Sequence, residues 1–180
     1  IGLHEKSKPK LCQNFIIFNM MNNMNFSILM SLYFKESRSF LNECFESIWI
    51  KQTVKPDEIV LVLDGPVGTE LQKCVDSWKD QIGDNLKIVP LSKNIGLGMA
   101  LNEGLKHCSN EWVFRMDTDD ICTPDRFSKQ VAFIKENPDV VLFGGQILEF
   151  NQDVSDAHVL KAVPENHNEI KAFAQNRCPF

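Results

Sequence analysis

At 180 residues the chain is long enough for one α/β domain with a substantial core and too short for two large ones. Its 43% hydrophobic and 24% charged content is that of a globular protein, which excludes a low-complexity or collagen-like chain. A formal net charge of −5, with four arginines that form no cluster in the sequence, excludes broad nucleic-acid binding and leaves any anionic ligand dependent on a metal ion or a helix N-terminus.

Residues 1–25 combine a Lys-rich start, a short apolar patch and alternating Asn and Met, and are expected to be a poorly ordered leader or added segment, with Met21 or Met24 as a natural start. The apolar run Phe15–Phe18 is interrupted by Asn19, Asn22 and Asn23, well short of a signal-peptide core or a membrane span. Phe26–Tyr33 is an apolar run of strand length, followed by Ser37 as an N-cap. Phe40, Leu41, Cys44, Phe45, Ile48 and Trp49 then recur at helical spacing and predict an amphipathic helix over 38–51. Glu58–Leu63 is a continuous apolar run, the mark of a strand buried on both faces, and it ends on the turn Asp64-Gly65-Pro66.

Leu71, Cys74, Val75, Trp78 and Ile82 outline a second helix closed by Gly83, and Leu86–Leu91 a third strand. Asn94-Ile-Gly-Leu-Gly98 leads into a helix with Leu97, Ala100, Leu101 and Leu105 on one face. Trp112–Met116 is a fourth strand, and Pro124, capped by Thr123, should open a helix that buries Phe127, Val131 and Ile134. Val140–Phe143 and Ile147–Phe150 are strand-like, and Ile170–Phe173 suggests a last helical turn. Four alternations of strand and helix call for a mostly parallel, doubly wound α/β sheet. Residues 26–150 form its domain, and 151–180 read as the incomplete start of a further region.

The chemistry concentrates at Asp117, Asp119 and Asp120, where a buried strand delivers three carboxylates within four positions. In open α/β sheets ligands bind beyond the carboxyl ends of the strands, and crowded carboxylates invite a hard divalent cation. Alone, the same loop reads equally as a surface Asx turn. A calcium-binding EF-hand is excluded, because Cys122 stands where Gly is required and Ser128 where Glu is required. Asp64 is a second acid at a strand tip. The Gly96-x-Gly98 pair lacks the third Gly of a dinucleotide loop, and no Gly-Lys pair marks a phosphate-binding P-loop. The pair suits a tight turn and close helix–sheet packing. The six cysteines and four histidines form neither a zinc pattern nor a triad, and the compartment is expected to be reducing.

Four segments in order carry a resemblance: Phe26-Ser-Ile-Leu-Met-Ser-Leu-Tyr-Phe-Lys-Glu36, Asp57-Glu-Ile-Val-Leu-Val-Leu-Asp-Gly65, Asn94-Ile-Gly-Leu-Gly-Met-Ala-Leu-Asn102, and Phe114-Arg-Met-Asp-Thr-Asp-Asp120 with Pro124. Together they resemble the bacterial family 2 glycosyltransferases, which have the A-type nucleotide-sugar transferase fold and build capsule, exopolysaccharide or O-chains. The resemblance implies transfer of a sugar from a nucleoside diphosphate, most often UDP, to an acceptor hydroxyl of a saccharide or lipid-linked saccharide, with inversion. It implies that Leu32 and Tyr33, with Glu36, line the nucleoside pocket, that Asp64 meets the base, and that Asn94 joins the donor-binding set. Asp117 would meet the ribose or the metal shell, and Asp119 would coordinate Mg²⁺ or Mn²⁺ on the diphosphate.

Two departures narrow what carries over. Leu101 stands where many relatives have Arg, so a phosphate contact from that position is absent or supplied elsewhere. The catalytic base of relatives lies in a downstream segment and is expected beyond Phe180, so no residue here is assigned that role. The implied location is cytoplasmic, at the inner face of the cell membrane. Two alternatives remain open: a nucleotidyltransferase that makes nucleotide sugars, and a non-catalytic nucleotide-binding module.

Overall fold

The computed structural model describes residues 24–150 and 159–175. The expected leader therefore lies, apart from residues 24 and 25, outside the described residues. Two compact units divide the chain after Phe133.

In the first unit, β1 (Phe26–Leu32), β2 (Glu58–Leu63), β3 (Leu86–Pro90) and β4 (Trp112–Arg115) form a parallel sheet in the order β3-β2-β1-β4. The register pairs Ile28 with Ile59 and with Phe114, and Val60 with Lys87. All six residues of β2 are buried, as its unbroken apolar run predicts. The helices are α1 (Arg38–Phe45), α2 (Thr69–Ile82), α3 (Leu97–Leu105) and α4 (Arg126–Glu136). One sheet face, built from Leu29, Val60 and Val62, packs on Ala100 of α3. The opposite face carries Phe26 and Phe114, stacked at 4.7 Å between ring centroids, with Phe127 of α4 edge-on to Phe26 at 5.3 Å. Helices α1 and α2 lock together through the stacked rings of Phe45 and Trp78, 5.2 Å apart, and the bond from Trp78 Nε1 to Asn42.

Several expectations need correction. The α-helical pattern expected over 38–51 ends at Phe45 and continues as a π-helical turn, Glu46–Ile50. Ser47 donates to the Cys44 carbonyl at 2.7 Å, and Lys51 N–H bonds Glu46 O at 2.9 Å. A hydroxyl competing for a helix carbonyl widens the turn in this way. Phe40 faces solvent, while Leu41, Cys44, Phe45 and Ile48 are buried. Ser37 occupies the N-cap position of α1 without a capping bond; its hydroxyl instead pairs with that of Ser39.

On α3 the buried positions are Ala100 and Gly104, and Leu97 and Leu105 are exposed. A Cβ on Gly104 would lie 2.5 Å from Val62 and 2.6 Å from Leu29. The close approach of helix to sheet thus occurs at Gly104, while the positions of Gly96 and Gly98 are open. Helix α4 opens at Arg126, two residues after Pro124, because Lys129 N–H bonds the Asp125 carbonyl. Phe127, Val131 and Ile134 are buried as expected.

In the second unit, β5 (Ile147–Glu149) and β6 (Val159–Lys161) form an antiparallel pair, and α5 (His167–Phe173) is capped by the Asn166 side chain at 3.1 Å from Glu169 N. Val140–Phe143 forms no strand: it joins neither sheet of the described residues, and Val141 and Leu142 are exposed. Among the described residues, no helix is long and apolar enough to cross a membrane.

Candidate functional site

The strand order decides where a ligand can sit. From β1 the chain steps outward to β2 and β3, then crosses back to place β4 on the other side of β1. The reversal makes the carboxyl ends of β1 and β4 the switch point of the sheet, where diverging connections leave a crevice. Leu32 and Tyr33 end β1 there, and Asp117–Asp120 follow β4. Asp64 follows β2, next to β1. The structure therefore brings to one sheet edge residues that stand 84 positions apart in sequence, Tyr33 and Asp117 among them.

The acid loop is held at both ends. At its entry Met116 N–H bonds the Leu29 carbonyl at 3.0 Å, and the Cys44 thiol donates to the Asp117 carbonyl at 3.4 Å. Thr118 is buried, with its hydroxyl 3.5 Å from the Ser31 carbonyl. Asp120 N–H turns back on the Asp117 carbonyl at 3.3 Å. At its exit Cys122 N–H bonds the Ser47 hydroxyl at 3.1 Å. The buried Gln52 amide donates at 2.8 Å to both Ser47 O and Thr123 O and accepts from Phe127 N–H at 3.4 Å. The π turn after α1 thus serves as a clamp on the segment that follows the acids.

The carboxylates repel one another. Glu36 is held above the ordinary glutamate range, first by burial and then by the negative charges of Asp119 and Asp117. Asp120 is likewise pushed up by burial and by Asp117 and Asp119, with Arg126 and Arg115 opposing. Asp119 and Asp117 therefore act electrostatically on Glu36 from across the switch point. Asp117 is also neutralised in part by Arg115, whose Nη2 lies 2.6 and 2.8 Å from its two carboxylate oxygens.

Such a set of hard oxygen donors suits Mg²⁺ or Mn²⁺. Among the described residues no three His, Cys, Asp or Glu side chains converge on one point. An ion that bridges a diphosphate takes only one or two protein carboxylates, the remaining positions being filled by phosphate and water.

Asp64 and Asn94 form a second part of the edge. The buried Asp64 carboxylate accepts from Ile95 N–H at 2.7 Å and Gly96 N–H at 3.0 Å, while Asn94 Nδ2 donates to the Asp64 carbonyl at 3.2 Å. Gly65 has φ +85°, and a Cβ there would stand 2.6 Å from Asn94 N. Asp64, Gly65 and the 94–96 turn are therefore one interlocked unit, with Tyr33 and Phe34 exposed at the end of the neighbouring β1.

Sequence reasoning passed over four residues that the structure makes central. Ser47 and Gln52 carry no motif; their role exists only because α1 meets the 122–127 segment. Arg115 and Arg126, far apart among scattered arginines, converge on the acid loop, with Arg126 Nη2 on the Arg115 carbonyl at 3.0 Å. Polar residues inside apolar patterns, such as Gln52 after Trp49 and Ile50, are the one signal that pointed to them.

Comparison with known proteins completes the picture. The profile for glycosyl transferase family 2 matches residues 27–178. An uncharacterized glycosyltransferase of Haemophilus influenzae is 55% identical over 87% of this chain and 58% of its own length. The amylovoran biosynthesis glycosyltransferase AmsE of Erwinia amylovora is 46% identical over 86% and 56%. The Escherichia coli UDP-Gal:alpha-D-GlcNAc-diphosphoundecaprenol beta-1,3-galactosyltransferase is 41% identical over 86% and 55%. Among solved structures, Staphylococcus aureus TarS 1–349 in complex with UDP-GlcNAc superposes with a TM-score of 0.55 at 28% identity, over 64% of this chain and 32% of that one. The chain thus spans a little over half the length of these curated relatives.

Proposed function

The chain belongs to glycosyltransferase family 2, and from that premise we propose that it is the donor-binding part of an enzyme that transfers a sugar from a nucleoside diphosphate, UDP in the first instance, to a saccharide acceptor in surface polysaccharide synthesis. The observation that carries this reading is the acid loop Asp117–Asp120 clamped at the switch point of a 3-2-1-4 parallel sheet. A relative named for a UDP-galactose donor and a diphosphoundecaprenol-linked acceptor supports both the nucleotide and a lipid-linked acceptor. The TarS complex with UDP-GlcNAc supports the same donor class.

In this reading Leu32 and Tyr33 border the nucleoside, Asp64 fixes the 94–96 turn beside it, and Asp117 and Asp119 would hold Mg²⁺ or Mn²⁺. The bound cation supplies charge stabilisation to the departing diphosphate as a Lewis acid. The anomeric carbon–oxygen bond to the diphosphate breaks as the acceptor oxygen bonds to the opposite face, inverting the centre. The acceptor's proton passes to a base that this reading assigns to none of the described residues.

A thermal-shift titration with UDP, in Mn²⁺ and in EDTA, tests this function. Stabilisation is expected only with the cation, and Asp119→Ala should abolish it. Equal stabilisation by UDP in EDTA would defeat the metal-assisted reading. Release of pyrophosphate from UTP and a sugar phosphate would point to the nucleotidyltransferase instead.

A further inference from the structure

We propose that Arg115 is a further donor-binding residue, whose guanidinium is shared between Asp117 and the diphosphate of the bound nucleotide. The inference rests on the acid loop being the donor site. Arg115 is the last residue of β4, at the switch point, and its side chain is 46% exposed. A single nitrogen, Nη2, serves both oxygens of Asp117. Nη1 and Nε therefore keep their N–H groups without a hydrogen-bond partner among the described residues; they lie on different edges of the guanidinium, and each is free to give a phosphate oxygen a single charge-assisted bond.

Arg126, beneath the acid loop, is committed. Arg126 spends Nη1 on Met116 Sδ and Cys122 Sγ, at 2.9 and 3.0 Å, and Nη2 on the Arg115 carbonyl at 3.0 Å; it is a strut beneath the loop. Lys35 lies over the Phe34 ring, 5.7 Å from its centroid. Helix α3, LGMALNEGL, carries no basic residue that could reach a phosphate.

Charge makes the need explicit. Glu36, Asp117, Asp119 and Asp120 place four carboxyl groups at one edge, and a nucleoside diphosphate brings further negative charge. One divalent ion offsets only two charges. A cation with unspent donors, already in contact with a donor-site carboxylate, is what the remaining imbalance requires. The Arg115–Asp117 pair is solvent-exposed, with side chains 46% and 41% accessible. Exposed pairs of this kind are weak, so turning part of the guanidinium to a phosphate sacrifices little.

The test uses the full-length protein with Mn²⁺ and compares uridine, UMP and UDP by calorimetry for the parent, Arg115→Ala and Arg115→Lys. Arg115→Ala should leave uridine binding unchanged and weaken UDP by about 10- to 100-fold, the range of a lost charge-assisted hydrogen bond; Arg115→Lys should fall between. A loss of UDP affinity in Arg115→Ala that is present with Mn²⁺ and vanishes in EDTA would show that Arg115 merely positions Asp117, whereas a loss that persists in EDTA supports a direct diphosphate contact; no change in UDP binding would also overturn the proposal. Failure of the parent protein to bind UDP at all would instead defeat the donor-site reading, and is told apart by that control. Melting of each variant without ligand reports on folding.

Discussion

The Ser47 hydroxyl accepts a 3.1 Å hydrogen bond from the backbone N–H of Cys122, 75 residues further along the chain. With Gln52 it ties the π turn after α1 to the segment leaving the acid loop. Gln52→Leu removes the side-chain donor of the buried Ser47 carbonyl and the side-chain acceptor of the Phe127 N–H, while the Thr123 carbonyl keeps the Arg126 N–H at 3.1 Å. It should destabilise the protein by about 2–4 kcal/mol, since each orphaned buried group costs about 1–3 kcal/mol. Ser47→Ala should cost about 1–3 kcal/mol by the same reasoning, and Ser47→Thr, which keeps the hydroxyl, less. Urea unfolding measures all three; Ser47→Ala as stable as the parent would show that the clamp carries no load.

Gly104→Ala tests the closeness of α3 to the sheet. In an open helix this change gains about 1 kcal/mol. Here the new Cβ would lie 2.5 Å from Val62 and 2.6 Å from Leu29, and overpacking costs about 1–3 kcal/mol or more. Net destabilisation is expected. Combining it with Val62→Ala should recover part of the loss, a coupling that a double-mutant cycle reads directly. Purely additive effects would place the clash elsewhere.

Glu58 sets an acid limit on stability. Its side chain is nearly buried, and burial alone would raise its pKa. The Lys87 ammonium at 2.5 Å, the Ser109 N–H and the Ser27 hydroxyl overcome that and hold it at about 2, against an ordinary 4.5. A depressed carboxyl pKa contributes stability that is complete above the unfolded value and is lost as pH falls towards the folded one. The contribution should be on the order of 2–3 kcal/mol at neutral pH and fade between about pH 5 and pH 2. Glu58→Gln should lower stability at pH 7 and flatten that acid limb; an unchanged slope would remove Glu58 as its source.

Asp64→Asn addresses the interlocked edge. The carboxylate serves two N–H groups, one on each oxygen. An amide offers one oxygen and turns an NH₂ towards the other N–H, at a cost of about 1–3 kcal/mol. Hydrogen exchange at Ile95 and Gly96 should quicken, and the KM for the donor should rise while the fold is retained. Unaltered exchange at both amides would show that the turn holds itself.

Much of the fold was legible because it follows from local pattern. The apolar run of β2, the 3.6-residue spacing of α2 with Gly83 at its end, and the alternation of elements lead directly to a parallel α/β sheet. The misses have a common origin. Phe40 and Leu105 fit a helical stripe, but which edge of the stripe is buried depends on neighbours that the pattern does not contain. Val140–Phe143 has strand composition but lies in no sheet among the described residues, and a strand exists only through its pairing.

The sequence by itself determined the acids, their order and the strand tips that carry them, because hydrophobic periodicity and turn chemistry act over a few residues. Only the tertiary structure decided that Asp117 and Asp119 bear on Glu36, that Arg115 leans on Asp117, and that Ser47 and Gln52 hold the loop's exit. Those relations join residues from 2 to 83 positions apart across the switch point. Their strength depends on distance and burial in space, which no one-dimensional spacing encodes.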